Sequence, residues 1–595
     1  MTNRSTTPWG AWGAHRAGDT TAFSLWSPGA TTVALELNDE RLPMQRDDKG
    51  AWTASVACEV GSHYRYAITL PDGREITVAD PASRAQDGDI DDASLVVSTD
   101  YAWQHDDWNG RPWHEAVFYE LHPGALGGFA GVTEKLASLA ALGITAVELM
   151  PVSDFPGARN WGYDGVLPFA PDAAYGTPHE LKHLIDTAHG LGLMVFLDVV
   201  WNHFGPDGNY LHDYAPTFFR SGESNNWGGS IDFTQPEVRN FFTSNANHWL
   251  QDYRFDGLRI DAAHAISDQG WLVEMAASVK AATAPGRHVH LVLEHDDNAS
   301  GLLTKGFAAQ WNDDGHHVLH VLLSGETDGY YSDYAQQPAE ALARCLAEGF
   351  IYQGQPSPHR DNAPRGEPSA ALSPTSFVLF LQNHDQTGNR AFGERLTTLA
   401  DPAALRAAQA LQLLAPQIPL LFMGEESAST EPFFYFTSHR SEELATAVRE
   451  GRAREFAASA AFGDESRRHE IPDPNDESTF TRSIPARIGE QGEAATVWVR
   501  DLLALRRQHL TPQLPNCRAI GAEALGPAAV MARWQLGPSV LTIVVNLAET
   551  ALNKLPAHVM PNAKAHTLFD TGGVRHALAT GMLRGHACLA WIESA

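Results

Sequence analysis

The sequence predicts an α/β protein whose central domain is a (β/α)8 TIM barrel flanked by an N-terminal β-sandwich and a C-terminal β domain. Short apolar runs alternate with helical patterns from about residue 115 to 440, and β-like runs dominate both ends of the chain. Several apolar runs in the middle stop abruptly at an acidic residue. At 595 residues the chain is too long for one core. We expect domains at 1–98, 99–514 and 515–595.

The first domain is predicted from alternating runs separated by turn residues. Thr32–Leu37 and Tyr64–Leu70 place apolar side chains at every second position, and Asp47–Gly50 and Pro71–Gly73 supply turns. Short strands at this spacing are typical of a β-sandwich. The tail from about Pro515 returns to the same pattern and predicts a second β-sandwich.

The central domain contains eight candidate strands separated by helical patterns. One helix is indicated by Val132, Leu136 and Leu139, spaced at three and four, and another by Pro178–Gly190, which begins at Pro and ends at Gly. Strands alternating with helices predict a parallel barrel with insertions. The candidate strands are Ala116–Leu121, Ile144–Met150, Met194–Val200, Leu258–Asp261, Val289–Glu294, Phe307–Trp311, Phe377–Asn383 and Ile418–Met423. Asp501–Leu510 is predicted as a final helix.

Three acidic residues close predicted strands: Asp261, Glu294 and Asp385. The carboxyl ends of barrel strands meet at one mouth, where barrel enzymes keep their active sites. Arg259 lies two residues before Asp261 on the same side of its strand, so its charge lowers the pKa of that acid, as a nucleophile requires. Glu294 follows apolar Leu291–Leu293, and desolvation favours its protonated form. Such a set of acids suits cleavage of a glycosidic bond.

Two other interpretations of these residues are helix capping and metal binding. An acid at a strand end can simply cap the next helix, but three such ends together with Arg259, His203 and His384 favour a site. His203 near Asp198 could bind a metal, yet no second His with a matching acid follows at helical spacing. We predict no metal and no cofactor.

Composition excludes several classes of partner. Lys plus Arg is 42 and Asp plus Glu is 72, which gives a net charge of −30 that repels nucleic acid and anionic membranes but not a neutral oligosaccharide. The four Cys are scattered and form no Cys-x-x-Cys, which argues against zinc and disulfides. No secretory apolar segment is evident, which predicts a soluble, cytoplasmic protein. The sequence carries no signal for the number of subunits.

Four segments resemble, in order, the signature segments of the α-amylase superfamily. The resemblance implies a retaining glycosidase that forms a covalent glycosyl-enzyme, with Asp261 as nucleophile, Glu294 as general acid/base and Asp385 as transition-state stabiliser. It also implies sugar contacts from Arg259, His203, His384 and Tyr163. The four segments are Asp198–His203, Gly257–His264, Leu293–Glu294 and Asn383–Asp385.

Further stretches resemble superfamily members that release trehalose from the end of a malto-oligosaccharide. The resemblance implies cleavage of the α-1,4 bond next to the trehalose, with Asp313, Asp314, His316 and Glu426 near that disaccharide. The stretches are Trp161–Val166, Asn202–Tyr210, Gln310–His317, Gln382–Arg390 and Phe422–Glu426. The chain departs from them at Gly315, Ser427 and Ser438, where Phe, Trp and Asp are usual, which predicts weaker aromatic stacking on the trehalose side.

Two rival functions are compatible with this pattern. A glycogen branching or debranching enzyme also carries an N-terminal sandwich before the barrel, but acts at α-1,6 branch points. A barrel used only for binding would lose the acids, whereas this chain retains Asp261, Glu294 and Asp385.

Overall fold

A computed structural model describes residues 12–225, 228–456, 470–486 and 489–594. Eight parallel strands close into a barrel in chain order, which confirms the predicted fold class and every candidate strand. The barrel strands, numbered 1 to 8 along the chain, are Phe118–Leu121, Ala146–Leu149, Met194–Val199, Gly257–Ile260, His290–Leu293, Ala309–Trp311, Phe377–Phe380 and Ile418–Phe422.

Helices and insertions fill the segments between the strands. Helix Pro178–Gly190 begins where Thr177 and Glu180 form a reciprocal capping box with Pro at the first turn. The other helices are Gly128–Leu142, Leu211–Tyr214, Pro236–Asn247, Gln269–Ala282, Asp313–Ser324, Pro338–Glu348, His384–Gly388, Leu396–Leu399, Pro402–Leu414, Glu442–Glu455, Glu477–Thr481 and Glu490–Leu505. Short hairpins pair Ser153–Asp154 with Leu167–Pro171, Phe219–Asn225 with Gly228–Ile231, and Gln355–Ser357 with Ala363–Arg365.

The last helix of the barrel begins earlier than predicted. The sequence pattern places it at Asp501–Leu510, whereas the structure has Glu490–Leu505 followed by a π-helical turn at Arg506–Leu510. Most side chains in the first two turns are exposed or half-buried, so that part of the helix shows little apolar periodicity in the sequence.

The N-terminal domain consists of two antiparallel sheets packed on the barrel. Residues 1–11 of the predicted domain lie outside the described residues. Trp12 donates from its indole nitrogen to Asn240 at 2.6 Å, and its ring meets Phe241 edge-on at 5.0 Å, so the sandwich is fixed to the barrel. The strands are Gly13–Ala17, Thr20–Trp26, Thr32–Leu37, Glu40–Pro43, Gln45–Arg46, Ala51–Ala57, His63–Thr69, Glu75–Val78 and Ser94–Leu95.

The C-terminal domain is a five-stranded antiparallel sheet with a short two-stranded pair and one small helix. It packs on helix Pro338–Glu348, where the Trp534 indole donates to the Leu346 carbonyl at 3.1 Å. Its strands are Arg518–Gly526, Ala529–Leu536, Ser539–Asn546, Leu552–Asn553, His566–Asp570, Met582–Leu583 and Ala587–Ser594, and its helix is Val574–Leu578.

The register of the barrel brings charged side chains into its interior. Glu120 on strand 1 lies beside Glu148 on strand 2, and Asp198 on strand 3 lies beside Arg259 on strand 4. All four are buried. Because buried charge is costly without a partner, these residues mark the end of the barrel where chemistry is to be sought.

Candidate active site

Arg259 is the centre of the charged cluster at the mouth of the barrel. Its side chain is fully buried and lies over the Trp311 ring, 4.3 Å from the ring centre. One terminal nitrogen donates to Asp198 and to Asp261 at 2.8 Å each, and the other donates to Glu294 at 2.9 Å. Two acids from strands 4 and 5 are therefore held on neighbouring nitrogens of one guanidinium.

Asp261 is held in its ionised form. Asn202 donates to the second carboxylate oxygen at 2.9 Å. Burial alone would raise the pKa of Asp261, but the charges of Arg259 and His203 outweigh it and bring the pKa below its ordinary value. An ionised, oriented carboxylate is what a nucleophile at a sugar carbon requires.

The pKa of Glu294 is shifted upward, opposite to that of Asp261. Burial raises the pKa of Glu294 to about 8, and the carboxylates of Asp261 and Asp385 add to this rise. The backbone turns sharply at Ala262, whose φ is 40°, and its N–H donates to Glu294 at 2.8 Å. A left-handed alanine is strained, and here it orients an acid that is protonated at neutral pH.

Asp385 reaches the cluster from the end of strand 7. Its side chain is 37% exposed, accepts from Asn389 at 3.0 Å and lies 3.7 Å from His384. His384 is also 2.7 Å from the hydroxyl of Tyr163, which donates to Asp198 at 2.6 Å. The exposed carboxylate of Asp385 is therefore accessible to a ligand, whereas Asp261 and Glu294 are both hydrogen-bonded to Arg259.

A cavity of about 480 Å³, the first cavity, opens over this network. Asp261, Glu294 and Asp385 all line this cavity. Tyr163 and His203 also line it, and Arg259 lies beneath. The remaining lining residues are Trp161, Asp164, Asn202, Ala262, His264, Ala265, Asn389, Tyr435, Val448, Arg452 and Glu455.

A second cavity of about 460 Å³ adjoins the first, and Asp385 and Asn389 line both. It contains Asp313, whose pKa is raised by burial to about 7 despite the opposing charge of Arg365. The remaining lining residues are Asp296, His317, Tyr330, Asp333, Tyr334, His359, Arg360, Arg365 and Gln386. This polar and aromatic lining suits an uncharged, hydroxyl-rich ligand.

Three predicted residues are buried and line neither cavity. Asp314 is fully buried and accepts from the hydroxyl of Tyr334, from Arg365 and from the backbone N–H groups of residues 351 and 352. His316 is buried with Nδ1 against the Leu381 carbonyl. Glu426 is buried and pairs with Lys135 at 3.1 Å. The structure thus brings Asp313 to the second cavity, but not Asp314, His316 or Glu426.

Several cavity residues were not assigned from the sequence. Asn202, Gln386 and Asn389 lie inside the stretches that resemble the superfamily, so the sequence points to these segments but assigns no role to these three side chains. Tyr330 and Arg365 lie in the long segment between strands 6 and 7, which offers no motif in the sequence. Among the described residues, no group of three or more His, Cys, Asp or Glu is arranged to hold a metal ion.

Comparison with known proteins assigns the family. The chain matches the α-amylase catalytic domain at residues 87–228, carbohydrate-binding module 48 (isoamylase N-terminal domain) at 11–83, and a domain of unknown function, DUF3459, at 517–589. It is 39% identical over 500 residues to the malto-oligosyltrehalose trehalohydrolase of Deinococcus radiodurans, covering 82% of this chain and 81% of the relative. It is 41% identical to that of Rhizobium sp. (strain M-11), covering 83% and 85%. The chain belongs to the malto-oligosyltrehalose trehalohydrolase family.

Other similarities agree with this assignment. A crystal structure of a Salmonella typhimurium protein, described as a candidate α-amylase, has a TM-score of 0.90 and 39% identity over 98% of this chain and 100% of that one. A branching enzyme from Corynebacterium jeikeium is 35% identical, but only over 43% of this chain and 39% of the relative. The trehalohydrolase family therefore accounts for far more of the chain than the rival family does.

The structure shows the surroundings of Gly315, Ser427 and Ser438, the three positions where the sequence departs from its relatives. A Cβ on Gly315 would lie 2.7 Å from Leu379 and 3.3 Å from the Cys345 sulfur, so a side chain there points into the packed interior rather than into a cavity. This packing leaves little room for an aromatic ring, and whether Gly315 removes a stacking surface stays a prediction. Ser427 lines neither cavity, and Ser438 accepts two backbone N–H groups, of residues 158 and 159, at 3.0 Å.

Proposed function

We propose that this chain is a retaining glycoside hydrolase that cleaves the α-1,4-glucosidic bond next to the terminal trehalose of maltooligosyltrehalose. The products are trehalose and a malto-oligosaccharide, which gives the enzyme a role in trehalose biosynthesis. The observation that carries the proposal is the Arg259 clamp, which holds two acids of opposite ionisation in one cavity. Membership of the trehalohydrolase family supports the substrate.

In the first step, a carboxylate oxygen of Asp261 attacks the anomeric carbon of the sugar in the first cavity. The bond from that carbon to the glycosidic oxygen breaks, and protonated Glu294 transfers its proton to this oxygen, so trehalose leaves as a neutral alcohol. The transition state resembles an oxocarbenium ion, and the exposed carboxylate of Asp385 is placed to stabilise its positive charge through the sugar hydroxyls.

In the second step, the Glu294 carboxylate removes a proton from water. The water oxygen attacks the same anomeric carbon, the ester to Asp261 breaks, and its carboxylate is restored. The configuration of the anomeric carbon is inverted twice and therefore retained. Arg259 remains bonded to both acids throughout, which favours the return of each to its starting charge.

The two cavities have different parts in this proposal. Asp261 lines only the first cavity, so the malto-oligosaccharide whose end is attacked lies there, beside the aromatic rings of Trp161 and Tyr435. Asp313 on the second cavity wall contributes to the electrostatic environment of Glu294, so that cavity borders the proton donor. We assign the leaving trehalose to the second cavity for this reason.

Product analysis tests the proposal. Purified protein is incubated separately with maltotriosyl-trehalose, with pullulan and with amylose, and the products are separated by chromatography. We expect trehalose and maltotriose in equal amounts from the first substrate and much slower release from the others. Rapid cleavage of pullulan without free trehalose from the first substrate would favour a debranching enzyme instead.

We also propose a cytoplasmic location. Cys58, Cys345, Cys517 and Cys588 are all free thiols, and free thiols suit a reducing compartment. No helix within the described ranges is long and apolar enough to cross a bilayer.

A further inference from the structure

Glu120 on barrel strand 1 lines neither cavity, yet it holds His384, which lies 3.7 Å from the carboxylate of Asp385. Its side chain is buried, and both of its oxygens are directed at His384. One oxygen accepts the backbone N–H of His384 at 3.0 Å. The other makes a short hydrogen bond with Nδ1 of the same residue. A single carboxylate therefore fixes both the backbone and the ring of His384.

The hydrogen-bond pattern determines how many protons His384 carries. Nδ1 faces the carboxylate of Glu120, which can only accept. Nε2 faces the oxygen of Tyr163 at 2.7 Å, and that hydroxyl gives its own proton to Asp198. Burial raises the pKa of Asp198 to about 6 against the opposing charge of Arg259, which donates to both of its oxygens, so Asp198 is a carboxylate at neutral pH. Both nitrogens of His384 must then donate, and the ring is an imidazolium ion.

The charged groups around His384 favour the same state. Three carboxylates, Glu120, Asp198 and Asp385, lie near the ring, and only one full positive charge, that of Arg259, opposes them. Burial lowers the pKa of His384, but Glu120 and Asp385 outweigh it and raise the pKa to about 9. The surrounding titratable groups are Glu120, Glu148, Asp198, Asp385, Arg259, Tyr163 and His122.

We propose that Glu120 is a positioning residue, which keeps His384 doubly protonated and so fixes Tyr163 and Asp385 around the reacting sugar. The imidazolium stacks on Tyr163, with ring centres 5.2 Å apart, and lies 3.7 Å from the carboxylate of Asp385. Without the charge on Glu120, the ring can lose its second proton, and either the bond to Tyr163 or the bond on the Nδ1 side is broken. This proposal rests on the proposed function only where its test measures kcat; the protonation state of His384 is measured without substrate.

Glu148 provides a matched control. It is the neighbour of Glu120 in the strand register, is equally buried, and neither of its carboxylate oxygens has a hydrogen-bond partner. Burial and the nearby charge of Glu120 raise the pKa of Glu148 well above its ordinary value, so it is neutral. Glu148→Gln therefore leaves the charge of the barrel interior unchanged, whereas Glu120→Gln removes one negative charge.

The first measurement needs no substrate. Protein labelled with ¹³C-histidine is titrated by NMR, and the His384 signal, one of 27 histidines, is identified by its loss in a His384→Gln variant. In the wild type we expect His384 to stay charged up to about pH 9. In Glu120→Gln we expect its titration to move at least one pH unit lower, while Glu148→Gln and the charge-conserving Glu120→Asp keep a charged ring at neutral pH.

The second measurement is the pH dependence of kcat. Wild-type activity falls as pH rises through about 8, because Glu294 must be protonated. In Glu120→Gln, loss of the His384 proton moves this limb to lower pH and lowers kcat roughly 10–100-fold, by analogy with the loss measured when the carboxylate partner of a metal-bound histidine is removed. Glu120→Asp should restore the position of the limb.

Two outcomes would overturn the proposal: a His384 ring that stays charged to pH 8 or above in Glu120→Gln, or an equal shift in Glu148→Gln. Thermal unfolding of each variant shows whether it is folded before these results are compared. If the wild type cleaved α-1,6 bonds instead, the proposed function would fail while the histidine titration still tested Glu120.

Discussion

The two cavities that meet at Asp385 are built in different ways. In the first, the reactive groups stand at the ends of barrel strands, and Asp261 and Glu294 are bonded to one buried guanidinium. In the second, the lining comes mostly from the helix after strand 6 and the segments that follow it, supported from beneath by Asp314. The barrel therefore positions the residues proposed to break the bond, and the insertion before strand 7 forms most of the cavity proposed for the rest of the substrate.

Replacing Glu294 by Gln tests the first cavity and has the largest expected effect. The amide is close to the same size but cannot supply a proton, so kcat should fall by about 10²–10⁴-fold. Binding of the oligosaccharide, measured by calorimetry, should change little. Glu425→Gln is the control, because burial raises the pKa of Glu425 to about 8 as well, yet it lines neither cavity. Near-normal turnover in Glu294→Gln would remove this residue from the proposed mechanism.

Replacing Asp313 by Asn tests whether the second cavity selects the trehalose end. No hydrogen bond within the described protein engages its carboxylate, which faces the cavity. With a pKa of about 7, Asp313 is partly ionised at neutral pH, and hydrogen bonds to neutral or charged groups are worth about 0.5–3 kcal/mol, so kcat/KM for maltotriosyl-trehalose should fall roughly 2–100-fold. Cleavage of a plain malto-oligosaccharide should fall less.

Asp328→Asn is the matched control for that substitution, since Asp328 is exposed nearby and lines neither cavity. It makes the same Asp-to-Asn change outside both cavities. An equal loss on both substrates in Asp313→Asn would mean that this residue acts on Glu294 rather than on trehalose.

The sequence predicted the first cavity better than the second for a physical reason. Barrel strands are buried on both faces, so an acid such as Asp261 at a strand end stands out against apolar neighbours. Asp313 and Asp314 are adjacent in the chain and look equivalent there. Only the fold shows that one faces a cavity and the other is enclosed by Arg365 and Tyr334.

The contact between Glu120 and His384 is one that the sequence does not reveal. It is an acid in the middle of an apolar run, and its partner His384 is 264 residues away. The sequence predicts strand 1, but what the Glu120 side chain meets depends on closure of the barrel between strands 1 and 8. Long-range pairs of this kind leave no local pattern.

Replacing Gly315 by Phe tests whether this position faces sugar or the interior. Its Cβ would lie 2.7 Å from Leu379, and overfilling a packed region typically costs about 1–3 kcal/mol. We expect a lower melting temperature and no decrease in KM for maltotriosyl-trehalose. A Phe variant with normal stability and a lower KM would show that position 315 does contribute a stacking surface.

Replacing Tyr330 by Phe gives the smallest expected effect and concerns the rim of the second cavity. The Tyr330 hydroxyl donates to Gln386 at 3.0 Å, and its ring lies 4.6 Å from that of His317. Tyr330 is 38% exposed, and this bond between protein side chains holds its ring at the rim, so its loss, worth about 1 kcal/mol, should raise KM for the trehalose-ended substrate by at most about fivefold. Tyr330→Ala also removes the ring and should raise KM further. Equal KM values for the two variants would show that the hydroxyl, rather than the ring, holds the substrate at this rim.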